Sequence, residues 1–143
     1  MKQITKIFVL FTIMGISALS ASAQSHINAL VQQLEKSSSA NITYVEKRDP
    51  QTKKIASSKI VINVPDSEVK NVINALNADR NNSVSFEKSG NRLYRLTFEN
   101  EKSKEKVLFV MGDTDLALMN GVPFQTINNN GANNVLMLTT TME

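Results

Sequence analysis

The chain of 143 residues lacks cysteine and tryptophan, and it has only one histidine and five glycines. Without cysteine there is no disulfide, no thiolate zinc site, no thiol nucleophile and no lipidated N-terminal cysteine. One histidine excludes a three-histidine zinc site, and the five glycines form no cluster that would cradle a phosphate. These absences remove the common catalytic and metal-binding arrangements, and we expect no cofactor.

A concentrated positive charge is also lacking from most of the chain. The sequence has 16 Lys and Arg against 13 Asp and Glu, a net charge of +3. Lys2 and Lys6 lie in a segment that we interpret below as a leader, so the remaining 120 residues (143 − 23) carry 14 basic and 13 acidic residues, or +1. A nucleic-acid partner requires a strongly basic face, and we expect none.

Residues 1–23 have the three parts of a secretory signal. Two lysines accompany an apolar run of ten residues, 7–16, which is too short to cross a bilayer because a spanning helix needs about 20 apolar residues. Ala21 and Ala23 then form the small-residue pattern of a cleavage site, and the predicted cut precedes Gln24. The alternative is a retained N-terminal anchor helix, which the polar stretch after the apolar run disfavours.

The leader predicts an exported protein, either periplasmic or secreted. No later segment is apolar enough to span a membrane, so we expect no stable membrane insertion after processing. The missing cysteine excludes a lipoprotein. Residues 24–143 are predicted to form a single α+β domain, and a chain of this length can bury a core without disulfides.

Two segments carry apolar residues at helical spacing. The first predicts a helix over 26–37, and the second predicts a helix over 67–79, where Asp66 can cap the N-terminus. The two apolar stripes are Ile27, Leu30, Val31 and Leu34, and Val69, Val72, Ile73 and Leu76. Each predicted helix therefore has one apolar face to bury.

The other segments show the period-two alternation of strands. A hairpin is predicted from 41–48 and 55–64, followed by short strands around 84–86 and 94–98. Residues 107–111 are apolar throughout, which predicts a central strand covered on both faces. Residues 100–106 are predicted to be a charged loop, and further strand candidates are 122–127 and 135–140.

This element order favours an α+β fold with a mostly antiparallel sheet of about five to seven strands. The two amphipathic helices are predicted to pack on one face of the sheet. Because nothing follows it that could cover it, the strand from Val135 to Thr140 is the predicted sheet edge.

Three strings resemble a known group of small secreted Bacteroides proteins. They are Tyr44-Val45-Glu46-Lys47-Arg48-Asp49-Pro50-Gln51-Thr52-Lys53-Lys54, Asp79-Arg80-Asn81-Asn82-Ser83-Val84-Ser85-Phe86 and Asn91-Arg92-Leu93-Tyr94-Arg95-Leu96-Thr97-Phe98. With the short helix that precedes them, they are similar to domain-of-unknown-function family 5024 over most of the chain after the leader. The resemblance implies an exported protein of a Gram-negative, gut-type bacterium, and it implies no catalytic residue or cofactor.

The polar cluster Gly112-Asp113-Thr114-Asp115 follows the most apolar strand, where functional loops often lie. Asp113 and Asp115 are weak functional candidates, either as Ca²⁺ ligands or as a pair of catalytic carboxylates, one of which would need a raised pKa. Ala117 and Leu118 break the EF-hand pattern. The simpler interpretation is a turn in which the aspartates cap backbone N–H groups.

Three other features are weaker still. His26 is predicted to be a solvent-exposed residue at the start of a helix, because a mobile terminus cannot hold a catalytic imidazole. The first hairpin is locally basic, and it is either a contact for an acidic glycan, phosphate or anionic lipid, or a solvated edge protected by lysines. Its basic residues are Lys47, Arg48, Lys53, Lys54 and Lys59. The Asn-rich segment 128–134 is either a sugar-binding loop or a flexible hairpin loop.

The sequence therefore favours an exported, non-catalytic binding or interaction module of the cell envelope. Its partner would be a protein or a glycan, and a homodimer through an edge strand is one form of this hypothesis. The alternatives are a small carbohydrate- or Ca²⁺-binding accessory domain that uses the Asp-rich and Asn-rich loops, and an envelope hydrolase that uses Asp113 and Asp115.

Overall fold

The computed structural model describes residues 24–37, 41–127 and 133–142. The predicted leader and its cleavage site, and residues 128–132 of the Asn-rich segment, lie outside these ranges. The six strands are β1 (Asn41–Arg48), β2 (Ile55–Asn63), β3 (Ser85–Ser89), β4 (Leu93–Glu99), β5 (Ser103–Met111) and β6 (Asn134–Met142). The α-helices are α1 (24–35), α2 (Val69–Asp79) and α3 (Thr114–Met119), and short 3₁₀ helices cover Asp66–Glu68, Arg80–Asn82 and Phe124–Thr126.

All six strands belong to one antiparallel sheet with the order β1-β2-β6-β5-β4-β3. The predicted α+β class and strand number are confirmed. The prediction that the C-terminal strand is an edge is wrong, because β6 pairs with β2 on one side and with β5 on the other. Residues 134–137 are buried on both faces of β6, and that is the pattern of a central strand.

One face of the sheet, which we call the helix-covered face, packs against α1 and α2. Apolar side chains of both helices form a single cluster with alternate residues of the strands, including Ile62, Phe109 and Leu136. These three side chains are fully buried. The predicted packing of two amphipathic helices on one face is confirmed.

The opposite face, which we call the second face, is covered over only part of its area. Ala117 of α3 and Val122 of the following segment pack there against Val110 and Val135. Helix α3 was not predicted, because six residues are too few to show a helical stripe. Its first turn is instead signalled by the capping residue Asp113.

Three further predictions differ from the structure. β5 begins at Ser103, so the predicted charged loop 100–106 contributes four residues to a strand. Residues 122–127 form no strand but a 3₁₀ turn over Phe124–Thr126, and Pro123 before it cannot donate to a ladder. Helix α1 ends at residue 35 within the described residues, two residues before the predicted end. Among the described residues, no helix is both long and apolar enough to cross a membrane.

Candidate functional site

Asp113 caps the N-terminus of α3. Its Oδ1 accepts a hydrogen bond from the backbone N–H of Leu116 at 3.0 Å, and its Oδ2 accepts one from Arg92 at 3.2 Å. The hydrogen bond from Leu116, assisted by Arg92, holds the pKa of Asp113 below its usual range. Asp113 is therefore held ionised, whereas a general acid would need a raised pKa.

Asp115 lies in the first turn of α3, where the helix dipole stabilises a negative charge. It is exposed, whereas the hydrolase hypothesis requires a partly desolvated carboxylate. In the ranges that the structure describes, no three His, Asp or Glu side chains come together in a way that could hold a metal ion. The two aspartates thus fit the simpler interpretation of a capped helix start.

Asn133 and Asn134, the described residues of the Asn-rich segment, lie beside the Asp-rich segment at one end of the sheet, and the accessory-domain hypothesis requires such a placement. The N–H of Gly112 donates to the carbonyl of Asn133 at 2.8 Å, and Asn133 Nδ2 donates to Thr114 Oγ1 at 2.8 Å. Asn134 Nδ2 donates to Asp66 Oδ1 at 2.7 Å. These amides are committed to contacts within the protein, and they hold the connecting segments on the sheet.

Arg95 fastens the other end of α3. It projects from β4 on the second face and donates to Glu87 Oε1 at 2.5 Å and to the side-chain oxygen of Asn120. Asn120 Nδ2 in turn donates to the carbonyl of Leu116 at 2.8 Å. Both ends of α3 are therefore fixed by charged or amide side chains, and α3 acts as a structural cover of this part of the sheet.

Asp79, which the sequence analysis did not single out, holds the start of α1. It is only 1% exposed, and its carboxylate accepts hydrogen bonds from the backbone N–H of Ile27 at 2.8 Å and of His26 at 3.3 Å. His26 Nδ1 lies 2.7 Å from Asp79 Oδ1, while the His26 side chain remains 62% exposed. His26 is thus an exposed helix-start residue, as predicted, but its ring is held by a buried carboxylate.

One signal in the sequence could have pointed to Asp79. It is the last residue of α2, where the negative end of the helix dipole disfavours an acid. An acid at such a position needs donors from elsewhere in the fold, and the free N–H groups at the start of α1 supply them.

The strands β1 and β3 are the two edges of the sheet. β1 is the longer, with eight residues against five, and no strand among the described residues pairs with its outer side. Val45, in the middle of β1, is 41% exposed. An edge of this length offers free backbone donors and acceptors to another strand.

The second face has an area that α3 does not reach, which we call the open half. Strand register defines it: Lys59 lies opposite Thr139, which lies opposite Lys106, which lies opposite Thr97. In the next row, Lys47, Ser57, Thr141, Lys104 and Glu99 follow one another across the sheet. Lysine and hydroxyl side chains alternate in the first row, and two hydroxyls separate Lys47 from Lys104 in the second.

The open half is a basic surface that only partly coincides with the basic hairpin suggested by the sequence. Lys47 and Lys59 belong to it, but Arg48 pairs with Glu46 at 2.6 Å, and Lys53 occupies the hairpin turn. Lys104 and Lys106 were missed because they lie in the segment predicted to be a loop. Once that segment is read as part of β5, period-two alternation places both lysines on the second face.

Comparisons of the chain with protein-family models, with curated proteins and with solved structures found no match.

Proposed function

We propose that the protein is an exported, non-catalytic interaction module that binds by adding a strand to β1, and that its simplest partner is a second copy of itself. The observation that carries this proposal is the outer side of β1, which runs for eight residues at the edge of the sheet and pairs with no other strand of the described ranges. Backbone hydrogen bonds along an open edge give affinity without a concave pocket. The proposal thus moves the docking edge from the C-terminal strand to β1.

Self-pairing of β1 is compatible with its charges. A two-fold axis at Val45 would place Lys47 opposite Thr43 of the second copy, and Glu46 opposite Tyr44. No like charges then face each other directly, which would be destabilising in an antiparallel pair. The two half-exposed Val45 side chains would meet at the centre and shield each other from water.

The edge proposal is tested by matched substitutions at the two ends of the sheet. Val45→Lys places a charge on β1, and Val84→Lys places the same charge beside β3, where Val84 is 59% exposed. We expect a dimer of the parent protein in size-exclusion chromatography with light scattering, a monomer for Val45→Lys, and an unchanged dimer for Val84→Lys. The runs are repeated with Ca²⁺. A parent monomer at all concentrations would contradict self-pairing, and a dimer that only Ca²⁺ produces would favour the accessory-domain alternative.

Export is the second part of the proposal, and the resemblance to family 5024 and the three-part leader support it. Expression of the full sequence in a Gram-negative host should yield an envelope protein whose mass corresponds to a chain beginning at Gln24. The substitution Ala23→Leu should block processing, because signal peptidases need a small residue there. An uncut parent chain retained in the cytoplasm would contradict export.

A further inference from the structure

The open half of the second face concentrates positive charge that the rest of the chain dilutes. It carries Lys47, Lys59, Lys104 and Lys106 against one acid, Glu99. Lys104 forms an ion pair with Glu99 at 3.3 Å. Within the part of the chain that the structure describes, the other three lysines have no ion-pair partner.

The strand order and the strand spacing set the distances between the lysines. Lys59 and Lys106 lie in one cross-strand row with Thr139 between them, so their backbones are roughly 10 Å apart, or two strand spacings. The adjacent row with Lys47 and Lys104 is about 7 Å further along the strands. The result is a surface of two adjacent rows, in which hydroxyl side chains separate the lysines of each row.

The aromatic side chains of the sheet all lie elsewhere. Those of the strands belong to the helix-covered face: Tyr44, Phe86, Tyr94, Phe98 and Phe109. Single-stranded nucleic acids and neutral sugars are held largely by stacking on aromatic rings, and protein partners are anchored by buried aromatic or arginine side chains. None of these anchors is present on the open half, and Val45 is its one exposed apolar residue.

We propose that the open half binds an acidic polysaccharide, whose carboxylate or sulfate groups pair with Lys59 and Lys106. The chain would lie across the strands, and the hydroxyls of Thr97 and Thr139 would donate to and accept from its sugar hydroxyls. Complementary charge brings the polymer to the surface, and the row of Lys59, Thr139, Lys106 and Thr97 offers an extended linear chain contacts on four successive strands. This site does not depend on the proposed pairing of β1, since both lysines lie on inner strands.

The test is binding to polygalacturonate, measured by isothermal titration calorimetry on the protein expressed from the full sequence. The double variant Lys59→Gln/Lys106→Gln should weaken binding roughly four- to twenty-five-fold, since each exposed ion pair contributes a factor of about two to five. The matched control Lys54→Gln/Lys70→Gln removes the same charge from exposed positions outside the open half and should leave affinity unchanged. Equal losses in both variants would overturn the site, as would an absence of binding by the parent protein.

Three further probes separate the polysaccharide from other anions. Neutral dextran should not bind, and polyglutamate and vesicles with anionic lipid should bind more weakly than polygalacturonate at equal ionic strength. Tighter binding of polyglutamate or of the vesicles would overturn the proposal in favour of an acidic protein or a membrane surface. Thr139→Val keeps the charge and the strand propensity but removes one hydroxyl, and it should weaken polygalacturonate binding a few-fold; an unchanged affinity would contradict the role of the hydroxyls.

The substitution Val45→Lys distinguishes this proposal from the pairing of β1. If β1 mediates self-association, Val45→Lys abolishes the dimer but does not weaken polygalacturonate binding, because the new lysine lies opposite Lys59 and adds positive charge to the open half. Lys59→Gln/Lys106→Gln keeps the dimer and weakens polygalacturonate binding. Loss of both properties in either variant would mean that one surface performs both roles, which contradicts the separation proposed here.

Discussion

The helix-covered face and the second face of the same sheet are built differently. The first is closed by α1 and α2 over a continuous apolar cluster, with Leu136 and Phe109 fully buried. The second is apolar only beneath α3 and becomes a lysine and threonine surface beyond it. The comparison indicates that the helix-covered face provides most of the stability, while the second face has an area left free for contacts with other molecules.

The helices that cover the two faces, α1 and α3, are also held in place by different interactions. Helix α1 relies on apolar contacts and on Asp79, a carboxylate almost completely buried. Helix α3 fully buries only Ala117 and is held by partly exposed polar side chains at both ends, Asp113 and Asn120. A buried anchor should cost more to remove than an exposed one, because no water can replace the lost hydrogen bonds.

The largest expected difference concerns one leucine on each face. Leu136→Ala should lower the free energy of unfolding by about 4 kcal/mol, and Leu108→Ala by about 2.5 kcal/mol, within the usual range for buried leucines. Leu136 lies in the closed core, whereas Leu108 lies beside the open half, where neighbours can relax into the space. Urea denaturation measures both, and equal losses would show that the two faces are packed equally well.

The anchor of α1 gives the next largest effect. Asp79→Ala should cost about 3 kcal/mol, because it leaves two backbone N–H groups at the start of α1 without their acceptor. His26→Ala removes the mostly exposed ring and should cost about 0.5 kcal/mol. Thermal and urea unfolding of the two variants check this order. If His26→Ala lowered the free energy of unfolding as much as Asp79→Ala, the imidazole would be the important partner of Asp79, and the two backbone N–H groups would not.

Removing the cap of α3 should have a smaller effect than removing the anchor of α1. Asp113→Ala should loosen α3 and speed the hydrogen exchange of its amides, while the amides of β6 remain protected. Because the pKa of Asp113 is lowered in the folded protein, its contribution is present above about pH 4, the range of an unfolded aspartate, and is lost as the pH falls through the folded value. The exchange of α3 in the parent protein should therefore approach that of the variant at low pH. A difference that persists there would assign the effect to the side chain's shape rather than to its charge.

The sequence predicted the helices and strands whose apolar pattern lies within one continuous segment and extends over several residues. The stripes of α1 and α2 and the apolar run of β5 each repeat over several residues, so the periodicity identified them. Strand order depends on pairing between distant segments, and no local pattern reports it. The apolar residues of β6 are equally compatible with an edge or a centre until β2 and β5 are seen on either side of it.

The polar candidates show the same limit. Asp113 and the asparagines were recognisable as a cluster, but only the fold shows that their hydrogen bonds are made to α3 and its neighbours. Conversely, Lys59 and Lys106 are 47 residues apart (106 − 59) in the sequence, and they share a row only because Thr139 of β6 lies between them. Surface sites built from several strands are not visible before the register is known.

The smallest expected change in stability concerns the C-terminal end of α1. Glu35 ends α1, and partial burial raises its pKa above the ordinary value of 4.5. A raised pKa favours the protonated form in the folded state, so the stabilisation linked to this proton is fully present below the unfolded pKa and is lost as the pH rises through the folded value.

Glu35→Gln, which carries no charge at any pH, should stabilise the protein at pH 7 by about 0.3 kcal/mol, a small amount because water still screens the half-exposed carboxylate. The advantage should vanish near pH 4 in urea titrations, and Glu101→Gln in the exposed β4–β5 loop is the matched control. An equal gain at both pH values would assign the effect to the packing of the glutamine and not to the desolvated charge.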